Sequence, residues 1–196
     1  TFTGGVVVNG GTLKIGNLTA LGAYVTGRPV TQVVVNSGGA IDFNGVADAT
    51  YGYTISGTGV LGAGALLNTG GGIGNGSAQT SNIKLAANAS IGGTGNWALL
   101  TNGFGATSLD LGGFTLSKTG TNTIHLCNTT TTAGAISVES GTLATVQTAS
   151  NAANASLTLA NTAGVNLSLG VGLSLGSLSG GGTTGGNVAL GANTLT

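Results

Sequence analysis

The chain has 196 residues, of which 40 are Gly and only eight are charged, four Lys or Arg against four Asp or Glu. Globular domains average about 25% charged residues, and this shortfall excludes whole classes of function. Four scattered cations make no phosphate-binding patch for nucleic acid and no basic face for anionic lipid, while 40% hydrophobic content with zero net charge is the opposite of a disordered chain.

Other architectures fail on pattern. No run approaches the roughly 18 uninterrupted apolar residues of a membrane helix, and eight aromatic residues are too few for the girdles of a membrane barrel. Glycine follows no three-residue collagen period. Membrane insertion and nucleic-acid binding are therefore not expected.

Taken in chain order, the predicted elements are short strands with apolar residues at alternate positions: 6–8, 12–15, 33–35, 40–43, 82–85, 108–111, 135–138 and 156–159. Asn-Gly, Gly-Gly and Ser-Gly turns separate them. Alternation sends Val6, Val8, Leu13, Ile15, Ile41, Phe43, Ile83, Leu85, Leu109, Leu111, Ile136, Val138, Leu157 and Leu159 inward as the core. The segments around Tyr24 to Pro29 and Tyr51 to Tyr53 read as lateral loops. If Ile124 and Leu126 face the core, His125 and Cys127 face out.

The strand–turn–strand unit repeats. Val6-Val7-Val8-Asn9-Gly10-Gly11-Thr12-Leu13 recurs from Val33 to Ile41 and again from Ile136 to Leu143. The first two copies lie 27 to 28 residues apart, a spacing characteristic of stacked-rung architectures. We therefore expect an all-β fold, a parallel β-helix-like β-solenoid of roughly eight rungs, with 1–196 forming one repeat region. The charges supply a test of the period. Lys14 and Asp42 lie 28 apart and Lys84 and Asp110 lie 26 apart, so one rung places each pair side by side, pointing outward.

The residues also carry a resemblance. Thr1-Phe2-Thr3-Gly4-Gly5-Val6-Val7-Val8-Asn9-Gly10-Gly11-Thr12-Leu13-Lys14-Ile15-Gly16-Asn17 with Ala20-Leu21-Gly22 resembles the autotransporter-associated β-strand repeat, also called the passenger-associated transport repeat. Lys118 to Thr123, through Gly134, to Gly141-Thr142-Leu143 is similar to a second, diverged copy, and Ser177 to Thr196 resembles the segment that runs between such repeats. The resemblance implies a β-helical region of a large bacterial protein, secreted or displayed at the cell surface. It depart from the family at His125, Leu126 and Cys127, where small or hydroxylated residues are usual. With Thr1 in place of a leader, the chain is expected to be a processed or excised part of a longer polypeptide.

Catalytic readings are weak. Four scattered acids give no positioned pair for acid–base chemistry, and no metal-ligand spacing or cofactor motif occurs, so no cofactor and no enzymatic activity are expected. The residues that could meet a ligand or an interface are Tyr24, Tyr51, Tyr53 and Trp97, whose rings suit sugars or protein surfaces, and Cys127, which could join two chains. The leading expectation is a non-enzymatic extracellular structural protein that self-associates through uncapped solenoid ends. The alternatives are an adhesin fragment binding glycan or a host surface and, more weakly, an ice-binding solenoid using threonines such as Thr129 to Thr132.

Overall fold

The computed structural model describes residues 5–22, 32–47, 51–73, 80–100 and 105–196. In chain order its strands are β1 (Val6–Val8), β2 (Gly11–Lys14), β3 (Gln32–Val35), β4 (Gly39–Asp42), β5 (Gly52–Gly57), β6 (Leu66–Asn68), β7 (Asn82–Gly93), β8 (Trp97–Leu99) and β9 (Thr107–Asp110). They continue with β10 (Thr115–Lys118), β11 (Thr123–Leu126), β12 (Thr129–Thr131), β13 (Gly134–Val138), β14 (Thr142–Thr145), β15 (Ser150–Leu159), β16 (Asn166–Leu169), β17 (Leu173–Gly180) and β18 (Asn187–Ala189). Every pairing between them is parallel. The chain is a parallel β-solenoid of about seven turns. At 4.7–4.9 Å per strand step, that stack is about 33 Å tall.

Three faces run along the axis. The first carries β1, β3, β5, the start of β7, β9, β12 and the starts of β15 and β17, joined into one ladder. The second carries β2, β4, β6, the end of β7, β10, β13 and the ends of β15 and β17. The third is a separate sheet of β8, β11, β14, β16 and β18.

Inward residues stack in columns because equivalent positions of successive rungs share a register. On the second face the column is Leu13, Ile41, Leu66, Ile91, Lys118, Val138 and Leu159. On the third it is Trp97, Ile124, Leu143, Leu167 and Val188. Steps along the second-face column measure 25 to 28 residues as far as Lys118, then 20 to 21 from Lys118 to Gly180. The expected period near 27 thus holds for the first half and shortens in the second. The reason is the third side: from β11 onward it is a short strand with tight corners, where the earlier rungs spend longer segments.

Most of the expected core is buried, from Ile15, Ile41 and Phe43 to Leu157 and Leu159. Leu13 departs from it at 40% exposed, because among the described residues it is stacked on one side only, by Ile41. Val6 is half-buried for the same reason.

Polar ladders replace charge between rungs. Asn36 Nδ2 donates to Asn9 Oδ1 at 2.7 Å, the Thr107 and Thr129 hydroxyls meet at 2.8 Å, and Ser108 Oγ donates to Asn82 Oδ1 at 2.7 Å. Uncharged side chains can stack this way at strand spacing, where identical charges would repel.

Both ion pairs form as the period requires. Lys14 pairs in register with Asp42 and Lys84 with Asp110, each with nitrogen and oxygen 3.9 Å apart. One detail differs from expectation: Asp42 stands at an outward ladder position yet is only 3% exposed. Asn44 N and Thr69 N each donate to its Oδ1 at 2.9 Å, and the Thr69 hydroxyl donates to Oδ2. The turns following β4 and β6 fold over the carboxylate and replace its water.

Candidate functional site

The aromatic residues singled out for ligand contact lie inside the solenoid. Tyr51, Tyr53 and Trp97 are each at most 2% exposed, and Tyr24 lies outside the described residues. Tyr53 is the rung neighbour of Val33 and Ile83 in the first-face column, so strand parity turns it inward rather than into a lateral loop. Phe43 lies edge-on to both Tyr53 and Trp97, with ring centroids 5.8 and 5.1 Å apart. Their polar ends are used internally: Trp97 Nε1 donates to Gly92 O at 3.0 Å, and the Tyr51 hydroxyl donates to Gly22 O. In this arrangement the rings pack against one another in the core and offer no face to a sugar.

His125 and Cys127 do alternate with Ile124 and Leu126, yet they do not face water. His125 is 8% exposed and Cys127 fully buried. Cys127 packs with Ala98, Leu100 and partly buried Val146 in a small apolar cluster of its own, its sulfur 3.5 Å from Gln147 Oε1. Parity gives the side of the strand correctly, and burial follows because the outer surface of the third face is covered at these rungs. Burial pushes the His125 imidazole below its usual pKa, and its Nδ1 has no hydrogen-bond partner. The Thr129 to Thr132 run is likewise split: Thr129 and Thr131 are buried, whereas Thr130 and Thr132 are exposed.

The most unusual ionisable group is Lys118, the first residue of the second, diverged repeat copy. Lys118 occupies the inward column of the second face between Ile91 and Val138 and is fully buried. Four oxygens lie within hydrogen-bond distance of its Nζ and share its N–H donors: Gly120 O at 2.7 Å, Asn122 Oδ1 and Ser140 O at 2.9 Å, and Thr119 O at 3.1 Å. Asn122 is held in turn, its Nδ2 donating to Gly95 O at 2.9 Å and Gly92 O at 3.1 Å. Burial lowers the Lys118 pKa to about 7, and no carboxylate is among its partners to oppose this. The signal was present: Leu116 faces inward, so Lys118 two residues later in the same strand must also face inward.

Carboxylates do not converge. Asp42 and Glu139 share an outward line on the second face but stand four rungs apart, about 19 Å. Glycoside-cleaving pairs sit roughly 5–9.5 Å apart. Among the described residues no group of three His, Cys, Asp or Glu side chains comes together to hold a metal, and no helix is long and apolar enough to cross a membrane.

These features define the class: a parallel β-solenoid held by apolar columns and uncharged ladders, with its unusual ionisable group enclosed rather than displayed. Within it, an 84-residue stretch is 48% identical to the Adhesin BmaC autotransporter of Brucella suis biovar 1 (strain 1330), covering 41% of this chain and 2% of that protein. The chain thus spans a small fraction of that relative's length. No family model matches it, and no solved structure matches it.

Proposed function

We propose that the chain is a rigid, non-catalytic segment of an adhesin-like passenger displayed at a bacterial surface. The observation that carries the reading is the unbroken parallel ladder over about seven turns, joined to an 84-residue likeness with an adhesin autotransporter. Each rung is fixed to the next by backbone hydrogen bonds and a shared apolar column, so the segment bends little and transmits force along its axis. Such a rod sets an adhesive surface at a distance from the cell. The end rungs carry exposed inward-column residues, Leu13 on one and Leu178, Val188 and Leu190 on the other, which suit further stacking, including self-association end to end.

The relative's name favours a second role in which the segment itself contacts a host surface or glycan. Display of the chain between an unrelated outer-membrane anchor and an epitope tag separates the two. The structural reading expects surface display and a core resistant to proteinase K while the tag is removed. Digestion through the core would refute it. Increased adhesion of these cells to cultured host cells, relative to cells bearing anchor and tag alone, would add the contact role.

A further inference from the structure

Asn-Gly pairs occur at four places in the chain: Asn9-Gly10, Asn44-Gly45, Asn75-Gly76 and Asn102-Gly103. The last two lie outside the described residues. Such a pair carries a reaction of its own, because the glycine's backbone nitrogen can reach the asparagine's side-chain carbon through a five-membered ring. The nucleophile is intramolecular, and no Cβ restricts its approach. The solenoid treats the two described pairs in opposite ways.

At the corner after β4 both reacting groups are committed to neighbouring rungs. Asn44 Nδ2 donates to Ile15 O at 3.1 Å, and Gly45 N donates to Asn68 Oδ1 at 2.8 Å. At the corner between β1 and β2, Asn9 and Gly10 are exposed, and Gly10 N has no acceptor among the described residues. An added Cβ at Gly10 would meet nothing within 4 Å. This openness belongs to the corner and not to the rung's place in the stack, since Asn36 and Ser37, one rung further on, are exposed as well. Asn36 Nδ2 meanwhile donates to Asn9 Oδ1 at 2.7 Å. A fixed N–H therefore stands on the oxygen where negative charge develops when Asn9 Cγ is attacked.

We propose that Asn9 is a site of spontaneous covalent modification, at which Gly10 N closes on Asn9 Cγ to form a succinimide while Asn36 polarises the carbonyl. The new C–N bond forms as the Gly10 amide proton passes to solvent, and Nδ2 takes up a proton and leaves as ammonia. Water then opens the ring at either carbonyl, leaving an aspartyl or an isoaspartyl residue at position 9. Either product puts a carboxylate into a rung-to-rung contact made by two uncharged amides. The isoaspartyl form also adds a methylene to the backbone beside Gly11, whose N donates to Gly38 O at 3.1 Å and ties this corner to the next. Conversion thus charges and loosens one corner of the solenoid without any enzyme.

Incubation of the intact folded chain at neutral and mildly alkaline pH, followed by peptide mapping in a mass spectrometer, reads the exchange of NH for O at each asparagine. Electron-transfer fragmentation separates the two linkages. Asn9 should convert about tenfold faster than Asn44, the factor for breaking one hydrogen bond of ordinary strength at Gly45 N. In urea, where neither pair is held, the two rates should come together. Gly10→Ala should keep the melting temperature equal or higher, since its methyl meets nothing, and should slow conversion at Asn9 several-fold. Asn36→Ala should also slow it several-fold by removing the donor on Asn9 Oδ1. An Asn9 that stays unconverted, or that converts no faster than Asn44 in the folded chain, overturns the proposal. So does a rate ratio that persists in urea, or a Gly10→Ala or Asn36→Ala chain that converts as fast as wild type.

Discussion

Replacing Lys118 by Met retains an unbranched chain in the column between Ile91 and Val138 and removes the amine from four oxygens. Oxygens losing their donor in a buried site cost about 1–3 kcal/mol each where nothing replaces it. Against this, the variant no longer pays the burial of an ammonium, and that penalty depends on pH. With a folded pKa of about 7 against the ordinary lysine value of 10.5, the unfolded chain binds the extra proton throughout the interval between them. Wild-type stability should therefore rise with pH at up to about 1.4 kcal/mol per unit, from about pH 7 towards pH 10. Lys118→Met should lack this slope. Its deficit relative to wild type should be about 3 kcal/mol larger at pH 9.5 than at pH 7. Urea denaturation followed by circular dichroism at a series of pH values measures both proteins. All other ionisable groups are shared, so the difference isolates Lys118. A difference independent of pH would show that the amine keeps its ordinary pKa in the fold and would refute the burial argument.

Other perturbations give equally definite outcomes. His125 is held neutral by burial, so the unfolded chain takes up the extra proton as pH falls through the usual histidine range and stability is lost there; His125→Ala, which matches its ladder neighbours Ala98 and Ala144, should flatten that acid limb in the same denaturation assay. Asp42→Ala should cost about 2–4 kcal/mol, because it strips three hydrogen-bond donors of their acceptor, whereas Lys14→Ala should cost less than about 1 kcal/mol for its exposed ion pair. Equal costs would mean that the ion pair, and not the enclosing turns, holds Asp42. Gly141→Ala combines a φ of +69° with a Cβ 2.5 Å from Asn122 O and 2.7 Å from Lys118 Nζ; a loss of about 2 kcal/mol or more is expected by thermal or urea unfolding.

Alternation and recurrence made much of the fold legible. Val6 to Leu13 and its copy at Val33 to Ile41 are ladder partners, and the 28- and 26-residue charge spacings are one rung each. What periodicity could not supply was the length of the third side. Rungs shorten where β11, β14 and β16 replace longer segments, and no uniform period describes both halves. Exposure was the harder quantity. Parity assigns a side chain to a side of a strand but is silent on what lies over that side, which is why Asp42, His125 and Cys127 take outward positions and are nonetheless enclosed. Polar-edged aromatic rings suit surfaces, which points Tyr51, Tyr53 and Trp97 toward ligand contact; that the core accepts all three rings is not visible in sequence. Lys118 could have been recognised from Leu116 by the same parity that placed Lys14.

The enclosed lysine also sharpens what low charge means in this chain. Uncharged pairs such as Asn9 with Asn36 and Asn82 with Ser108 bond from rung to rung, and the two described outward ion pairs are each a single rung step. Lys118 is the exception that follows the same rule: its charge is admitted only where neutral oxygens surround it.

The stacking register sets both the core columns and the placement of Lys118. It is tested most directly by inter-strand contacts between backbone amide and α protons in isotope-edited nuclear Overhauser spectra of the intact chain. Cross-peaks should connect Lys118 to Ile91 on one side and to Val138 on the other in a parallel pattern. Cross-peaks from Lys118 to an antiparallel neighbour, or to residues other than these two rungs, would contradict the solenoid described.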